Sequence, residues 1–397
     1  MPTYIKRKIG ELGKVITGRT PPSSKPECFG TRYPFVTPAD MHDKKAAHTT
    51  DRYLSEAGGE LLKNNLLPKN SISVSCIGWQ MGKSILITRP SFTNQQLNSI
   101  IPNEQVDAEY LYYLLTTKRE RFFSIASAAG VRTPILNKSS FCDFEVELPT
   151  LTYQKKVSFI LSQFDNLIEN NNRRVAILEE MAQSLYREWF VKFLYPGNVK
   201  NESPLESSTK GWNSKSLGEL VDFKRNTIKK GSVPPKTPYM GLEHFPRKSM
   251  ALESWDEVDE IGSNKLAFEC GDILFGKIRP NFHKVGVAQV DGLCSSDTFV
   301  LSPVDSEHHA LISMVTFSDE FVAQAVQTSQ GSKMPRASWD VLKEFPVCIP
   351  PQDILDKFNA AVTPAIEQVR VLSLKNRNLK KQRDMLLPKL ISGEIEL

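Results

Sequence analysis

Residues 161–190 read LSQFDNLIENNNRRVAILEEMAQSLYREWF. Apolar side chains recur there at alternating spacings of three and four, the pattern of an amphipathic helix that forms a coiled-coil seam. A second segment, residues 362–391, reads VTPAIEQVRVLSLKNRNLKKQRDMLLPKLI in nearly the same rhythm, 201 positions further along the chain. The sequence therefore predicts two equivalent long helices within one chain.

The helices belong to a wider internal repeat, because other blocks recur in the same order. KIGELGKVITG at 8–18 is echoed by SLGELVDFKRN at 216–226. NSISVSCIGWQMGKSILI at 70–87 aligns with GDILFGKIRPNFHKVGVA at 271–288, and AGVRTPILNKSSFCDFEVELP at 129–149 aligns with QGSKMPRASWDVLKEFPVCIP at 330–350. The chain is therefore interpreted as a duplicated unit.

Each copy begins with a mixed segment, in which short β-branched runs alternate with turn residues and one interior helix (107–127 and 307–326). The Pro-, Ser- and Asn-rich stretch near the middle is the predicted linker. We predict an α+β fold: two pseudo-repeated mixed α/β domains joined by two long antiparallel coiled-coil helices. The predicted segments are a first domain at 1–152, a first helix at 153–195, a linker at 196–210, a second domain at 211–350 and a second helix at 351–397.

Two matched seams in one chain favour pairing of the helices about an internal pseudo-twofold axis over packing of each helix on its own domain alone. One seam asparagine per helix, Asn171 and Asn376, is expected to fix the register at some cost in stability. The paired helices would then act as a spacer between the two domains. The predicted pairing residues are Leu161, Phe164, Ile168, Asn171, Val175, Leu178, Leu185, Val362, Val369, Leu372, Asn376, Leu379 and Leu386.

Composition narrows the class of protein. The 397-residue chain has a formal net charge of +5, which permits a nucleic-acid partner without requiring one. No apolar run is long enough to span a bilayer, so no membrane association is expected. The six cysteines form no CxxC pair, which is typical of reduced thiols in a cytoplasmic protein.

The order of domain and helix resembles the specificity subunit of type I restriction-modification enzymes. The resemblance spans the whole chain and is strongest at ELPTLTYQKKVSFILSQFDNLIENNNRR, at CIPPQDILDKFNAAV and at the closing LLPKLISGEIEL. LPTLTYQKK departs from the family pattern, which typically has a second proline there. The resemblance implies two target-recognition domains that read the halves of a bipartite double-stranded DNA site. It also implies helices that dock two methyltransferase subunits, and restriction subunits in the full complex.

Catalytic and metal-binding motifs are absent from the sequence pattern. GWQMGKS at 78–84 has three residues between its glycines where a P-loop needs four, so a turn between two strands with Lys83 and Lys284 exposed is favoured. PADMHDKK at 38–45 lacks the second acidic strand of a nuclease, and no Pro-Pro pair precedes an aromatic residue as in an adenine methylase loop. Cysteine and histidine spacing predicts no metal site. We expect no cofactor on this chain, with S-adenosylmethionine, ATP and Mg in the partner subunits.

Basic side chains in turn-rich loops are the candidates for DNA contact. Arginine can read guanine with two hydrogen bonds, whereas lysine more often binds phosphate, so the arginines are the predicted base contacts. The candidates in the first copy are Arg19, Thr20, Lys25, Arg32, Lys83 and Arg132. Those in the second copy are Lys224, Arg225, Lys277, Arg279, Lys284, Lys333 and Arg336.

The sequence thus favours a non-catalytic DNA-recognition subunit in the cytoplasm. Two alternatives from other classes remain open: an enzyme with an unrecognised nuclease or DNA methylase site, and a structural coiled-coil adaptor. The first would act on DNA with Mg²⁺ or the methyl donor, and the second would not bind DNA.

Overall fold

The computed structural model describes residues 3–41, 45–46, 49–127, 134–197, 211–329, 331 and 334–397. The chain divides into two compact units, which we call unit 1 (Met1–Asn166 with Lys380–Leu397) and unit 2 (Leu167–Leu379). Each unit combines one mixed domain with a portion of each long helix, so the units cut across the consecutive segments predicted from the sequence. The predicted linker at 196–210 lies almost wholly outside the described residues.

Unit 1 contains a four-stranded antiparallel sheet of order β2-β8-β5-β6, a three-stranded sheet of order β4-β3-β7 and the pair β1-β9. Its strands are β1 Ile5–Lys8, β2 Gly13–Thr17, β3 Phe29–Val36, β4 Tyr53–Leu54, β5 Ile72–Ser75, β6 Ser84–Leu86, β7 Phe92–Thr93, β8 Leu97–Pro102 and β9 Glu145–Leu148. Its shorter helices are α1 Glu56–Leu61, α2 Ala108–Thr116, α3 Arg119–Ser127 and α4 Lys138–Cys142, and the long helix α5 begins at Leu151 and ends at Tyr186.

Unit 2 repeats this topology with a four-stranded sheet of order β11-β19-β16-β17, a five-stranded sheet of order β12-β15-β18-β13-β14 and the pair β10-β20. Its strands are β10 Asn213–Ser216, β11 Val221–Lys224, β12 Thr227–Ile228, β13 Gly231–Met240, β14 Asp256–Ile261, β15 Lys265–Phe268, β16 Ile273–Gly276, β17 Val285–Val287, β18 Gly292–Cys294, β19 Thr298–Pro303 and β20 Pro346–Ile349. Its helices are α6 Leu217–Leu220, α7 His309–Phe317, α8 Asp319–Gln327, α9 Trp339–Leu342 and the long α10 Gln352–Ser392.

The predicted interior helices are each split in two. Asp107 caps α2, where its Oδ1 accepts a hydrogen bond from the Tyr110 amide at 2.8 Å, and α2 ends at Thr116 before α3 starts. In the second copy Ser318 is extended at ψ 150° and its Oγ accepts from the Phe321 amide at 3.2 Å, so it caps α8. The prediction of one continuous helix was therefore wrong in both copies. The Ser318 hydroxyl caps α8 at the break in the second copy, and at the break in the first copy the Thr117 hydroxyl donates to the Leu114 carbonyl at 2.7 Å.

The long helices run antiparallel in unit 1. The Tyr153 hydroxyl donates to the Leu390 carbonyl at 3.3 Å, and Arg383 Nη1 donates to Asp165 Oδ1 at 2.6 Å. As residue numbers rise along α5, the residue numbers of the contacting positions on α10 fall, so the two helices are antiparallel. Leu161 and Leu390 are both buried in the unit 1 core.

Unit 2 shows the same direction of pairing. Asn171 Nδ2 donates to Asn376 Oδ1 at 2.9 Å, and the rings of Phe190 and Phe358 lie 4.7 Å apart, centroid to centroid. Phe190 belongs to the π-helical turn Arg187–Val191 that follows α5. Every predicted pairing residue, in both helices, is buried or half-buried.

Candidate nucleic-acid interface

Two segments of unit 2 meet beyond the end of β16 and collect several predicted DNA contacts. The Arg279 amide donates to the Pro335 carbonyl at 2.8 Å, and the Ala337 amide donates to the Lys277 carbonyl at 3.0 Å. Ile278 and Arg336 form an isolated antiparallel bridge between these hydrogen bonds. The loop after β11 contributes Arg225, which lines the same cleft as Lys277. We call Arg225, Lys277, Arg279 and Arg336 the basic corner.

An aromatic cleft of about 360 Å³ lies beside the basic corner. The Arg225 guanidinium stands 4.6 Å from the centroid of Phe223, and the Lys277 ammonium stands 4.9 Å from that of Phe299. Trp339 closes the group, with its ring 4.8 Å from Phe223. Cation–π contacts of this kind hold a long basic side chain in a restricted orientation. The residues lining the cleft are Phe223, Arg225, Thr227, Leu266, Lys277, Ser296, Phe299, Ala337, Trp339 and Asp340.

The cations of the basic corner differ in exposure and in the protein partners they already have. Lys277 Nζ donates to the Ser296 carbonyl at 2.6 Å. Burial lowers the pKa of Lys277; the Asp297 charge opposes this shift, and the Arg225 and Arg336 charges add to it. Arg336 Nη2 lies 3.4 Å from Asp297 Oδ1 with more than half of its side chain exposed. The exposed arginines can therefore reach an external ligand, whereas Lys277 already has a protein partner.

Two predicted contacts of the second copy, Lys224 and Lys284, have partners within unit 2. Lys224 Nζ lies 2.8 Å from Glu269 Oε2 and 3.0 Å from Asp272 Oδ1, with only 15% of the side chain exposed. Lys284 Nζ donates to the Leu242 carbonyl, and burial lowers its pKa. Lys224 is therefore held by two carboxylates and Lys284 by a backbone carbonyl.

The predicted contacts of the first copy are more scattered. Arg19, Lys25 and Arg32 are exposed, and Thr20 is half-buried. Arg32 Nε is 3.4 Å from Glu56 Oε2 at an exposed site, where such a pair contributes little to stability. Lys83 is half-buried like Lys284, so the expectation that both are exposed was wrong. Arg132 and Lys333 lie outside the described residues.

The sequence interpretation missed the aromatic side chains beside the predicted contacts in each unit. Gly78–Gln80 forms a short 3-10 turn between β5 and β6, and Trp79 on it is 88% exposed. Phe223, Phe299 and Trp339 are far apart in the sequence and meet only in the folded domain. Alignment of the two copies could have drawn attention to Trp79, because a large apolar side chain at a turn tip is unusual.

Other classes of site find no support in the part of the chain that is described. No cluster of His, Cys, Asp or Glu within it is arranged to hold a metal ion. No helix within it combines the length and apolar character needed to cross a bilayer.

Comparison with known proteins finds relatives of one kind. A family model described as the type I restriction modification DNA specificity domain matches residues 2–180. The MjaIX specificity subunit of a type I restriction enzyme from Methanocaldococcus jannaschii is 27% identical, over 98% of this chain and 93% of the relative. The HindI specificity subunit from Haemophilus influenzae is 34% identical over 41% of this chain and 37% of its own length.

Among solved structures, the type I restriction-modification system S subunit from M. genitalium superposes with a TM-score of 0.62 at 17% identity, covering 98% of this chain and 96% of that one. This likeness concerns the fold alone. The sequence relatives, the matched specificity domain and the duplicated fold agree with one another. The chain is thus similar to the specificity subunits of type I restriction enzymes, in the case of the MjaIX subunit over nearly its whole length.

Proposed function

We propose that this chain is the DNA sequence-specificity subunit of a type I restriction-modification complex. Each mixed domain reads one half of a bipartite double-stranded DNA target. The observation that carries the proposal is the duplicated frame of a specificity-subunit family with exposed arginines gathered on one loop corner of unit 2. Arginine at a loop corner can hydrogen-bond both phosphates and guanine edges.

Methylome sequencing of a host that carries the complete system tests this function. The expected result is methylation at one bipartite motif. Exchanging residues 1–150 for the corresponding domain of a relative should change one half of the motif and leave the other half intact. Methylation without a bipartite motif, or an exchange that alters both halves, would overturn the proposal.

The long helices supply the surface for the methyltransferase subunits. Most large apolar residues of α5 are buried or half-buried, but four are exposed: Phe159, Leu167, Ile177 and Met181. With 3.6 residues per turn they lie within about 80° of one another around the helix axis. An exposed apolar stripe on a helix is typical of a docking surface for a partner protein.

The helices also set the distance between the two half-sites in this proposal. Both pass from one unit to the other, α5 after Asn166 and α10 after Leu379. Inserting seven residues at each of these points lengthens each helix by roughly 10 Å and nearly preserves its apolar face. The spacer in the DNA motif should then grow by about three base pairs, at 3.4 Å per pair, with the half-site bases unchanged. An active variant with the original spacer would leave the helices as a docking surface only.

Catalysis belongs to partner subunits in this proposal. Methyl transfer from S-adenosylmethionine is assigned to two methyltransferase subunits, and ATP- and Mg-dependent cleavage to restriction subunits. The purified chain should neither methylate nor cut DNA when incubated with the methyl donor and Mg²⁺. Activity of the chain alone would instead favour an enzyme, and a complex that lost no DNA binding when this chain was omitted would favour a structural adaptor.

A further inference from the structure

The basic corner of unit 2 has a counterpart in unit 1 that can be located residue by residue. The Ile278–Arg336 bridge corresponds to an Ile77–Ile135 bridge in unit 1, 201 positions earlier at both ends. Gly13 and Val221 also correspond, because each starts its strand opposite a matching proline, Pro102 in β8 and Pro303 in β19. The corner residues Arg225, Lys277, Arg279 and Arg336 therefore correspond to Thr17, Cys76, Gly78 and Ile135.

Backbone geometry supports this correspondence. Gly78 has φ 59° and Arg279 has φ 49°, both in the left-handed region that side chains other than glycine rarely adopt. Gly82 and His283, four residues further along each loop, are also in the left-handed region, with φ 76° and 50°. The two loops thus follow the same path, although the second carries side chains where the first has glycine.

The four corner positions of unit 1 hold no charge. Thr17 Oγ1 donates to Asn98 Oδ1 at 2.7 Å, and Asn98 Nδ2 donates to Cys76 Sγ at 3.3 Å. Asn98 and Cys76 are both buried, so Cys76 does not present a polar group at the surface of unit 1. Among the described residues, Lys138 stands where unit 2 has Trp339, and Arg119 donates to the backbone carbonyls of Trp79 and Met81.

Unit 1 presents an apolar tip at this corner instead. Trp79 is 88% exposed and Ile135 is 60% exposed. The Trp79 ring stacks on Phe123 with centroids 6.1 Å apart and planes at 24°. Arg119 fixes the turn beneath it, because its Nη2 donates to the Trp79 carbonyl at 3.2 Å and its Nε donates to the Met81 carbonyl at 3.3 Å. A large apolar side chain held outward on a braced turn is placed for contact with a ligand.

Resting on the proposed function, we propose that the two units read their half-sites by different chemistry. Arg225 and Arg336 of unit 2 hydrogen-bond guanine, and the apolar tip of unit 1, Trp79 with Ile135, contacts thymine methyl groups. The occupant of the apolar tip is DNA because the tip stands at the corner that carries the exposed arginines in the duplicated frame. The major groove offers both features: guanine presents O6 and N7 as paired acceptors, and thymine presents its C5 methyl group.

The arginine contacts are tested by lysine substitutions in the complete methyltransferase complex. Arg225→Lys and Arg336→Lys keep the positive charge but lose the two-pronged donor geometry. Each should lower the preference for one guanine by roughly 10- to 100-fold, in the half-site that survives exchange of residues 1–150. Arg187→Lys, on an exposed turn after α5, makes the same change outside the corner and should leave the motif unaltered. Lysine variants that retain the full guanine preference would overturn this half of the proposal.

The apolar tip is tested by Trp79→Ala in the same complex. Loss of a methyl contact should lower the preference for one thymine by about 3- to 5-fold, in the half-site that is changed by the domain exchange. Because the side chain is exposed, the variant should keep its circular dichroism spectrum and thermal midpoint. An unchanged thymine preference in the folded variant would overturn the assignment of the tip.

The wild-type motif separates the two levels of inference. A bipartite motif with no guanine in the half-site assigned to unit 2 would overturn the chemical assignment and leave the specificity function intact. The absence of any bipartite motif would overturn the proposed function itself.

Discussion

The long helices are held in unit 1 by a buried polar cluster and at the corresponding place in unit 2 by an apolar core. In unit 1, Asp165 of α5 accepts hydrogen bonds from the Tyr113 hydroxyl and from Arg383 Nη1 of α10. Burial, reinforced by the Asp165 charge, raises the pKa of the Tyr113 hydroxyl, so it remains a donor. Positions 201 residues away carry Met314, Ile366 and Ala182, all in or against the unit 2 core.

This difference teaches that duplication preserved the backbone while the two contacts between domain and helices diverged. A carboxylate that is about nine-tenths buried requires a partner of opposite charge at the same depth. Arg383 supplies that charge from one turn of α10 only, so the cluster specifies which part of α10 packs against unit 1. Methionine, isoleucine and alanine in unit 2 impose no such requirement, because apolar contacts are non-directional.

Removing the arginine of the cluster should have the largest effect on stability. Arg383→Met leaves Asp165 buried without a cation, and we expect the free energy of unfolding to fall by about 3–5 kcal/mol. Urea denaturation followed by circular dichroism measures it. Lys381→Met, at an exposed site on the same helix, is the matched control and should change stability by less than about 0.5 kcal/mol.

Replacing the polar cluster of unit 1 by the residues at the corresponding positions of unit 2, with alanine for Arg383, tests the same comparison from the other side. The triple variant Tyr113→Met, Asp165→Ile, Arg383→Ala removes all charge from the cluster, and replacement of a buried ion pair by apolar groups is often close to neutral. It should therefore be more stable than Arg383→Met alone. A triple variant that is less stable than Arg383→Met would show that the interactions within the cluster stabilise the fold by more than the cost of burying its charges.

Glu179 gives unit 2 a pH-dependent contact. Its Oε1 accepts from Ser249 Oγ at 2.8 Å and from the Met250 amide at 2.7 Å, and burial raises its pKa from 4.5 to about 7. Because the folded state holds this proton more tightly than the unfolded chain, stability falls as the pH rises from about 4.5 to about 7. Glu179→Gln should gain roughly 2–3 kcal/mol over the wild type at pH 8 and little at pH 5.

Urea denaturation at pH 5 and pH 8 measures this difference, and Glu180→Gln, at the exposed neighbour, is the matched control. A gain in Glu179→Gln that does not depend on pH would contradict ionisation of the buried carboxylate as its cause.

The asparagine seam of unit 2 should have a smaller effect. Asn376 is fully buried, accepts from Asn171 and donates to Asn172 Oδ1 at 2.7 Å. Asn376→Leu leaves the buried amide of Asn171 without its hydrogen-bond partner, and we expect the free energy of unfolding to fall by about 1–2 kcal/mol. The double variant with Asn171→Leu should recover this loss, because a polar seam residue fixes register at a cost in stability. Asn378→Leu, at an exposed position, serves as the control for the single change.

The exposed side of α5 should contribute least to folding and most to assembly. Ile177 is 64% exposed, so Ile177→Asp should change the free energy of unfolding by less than about 0.5 kcal/mol. It should nevertheless weaken co-purification with the methyltransferase subunits, because the charge lies in the apolar stripe. Ala176→Asp places the same charge on another exposed face, about 100° around the helix, and should not weaken it. If both variants retained the methyltransferase subunits equally, the apolar stripe would not be the docking surface.

The elements with strong periodicity were predictable from the sequence. α5 and α10 follow the predicted helices closely, and the two sheets of order β2-β8-β5-β6 and β11-β19-β16-β17 reflect the internal repeat. Periodic apolar residues report burial directly, since each turn of helix must place one on the packed face. The breaks at Thr117 and Ser318 were not predicted, because capping depends on a few local bonds that periodicity does not report.

The sequence by itself determined the duplication and the paired helices with their asparagine seam, and it indicated the resemblance to type I restriction specificity subunits. Only the tertiary structure decided which charges face outward. Lys224 and Arg225 are neighbours in the chain, yet Lys224 is held by Glu269 and Asp272 while Arg225 lies exposed over Phe223. Lys224 ends β11 and Arg225 opens the loop after it, and the carboxylates that pair with Lys224 come from more than forty residues away. Long-range contacts of this kind depend on how the strands pack in three dimensions, which local patterns do not encode.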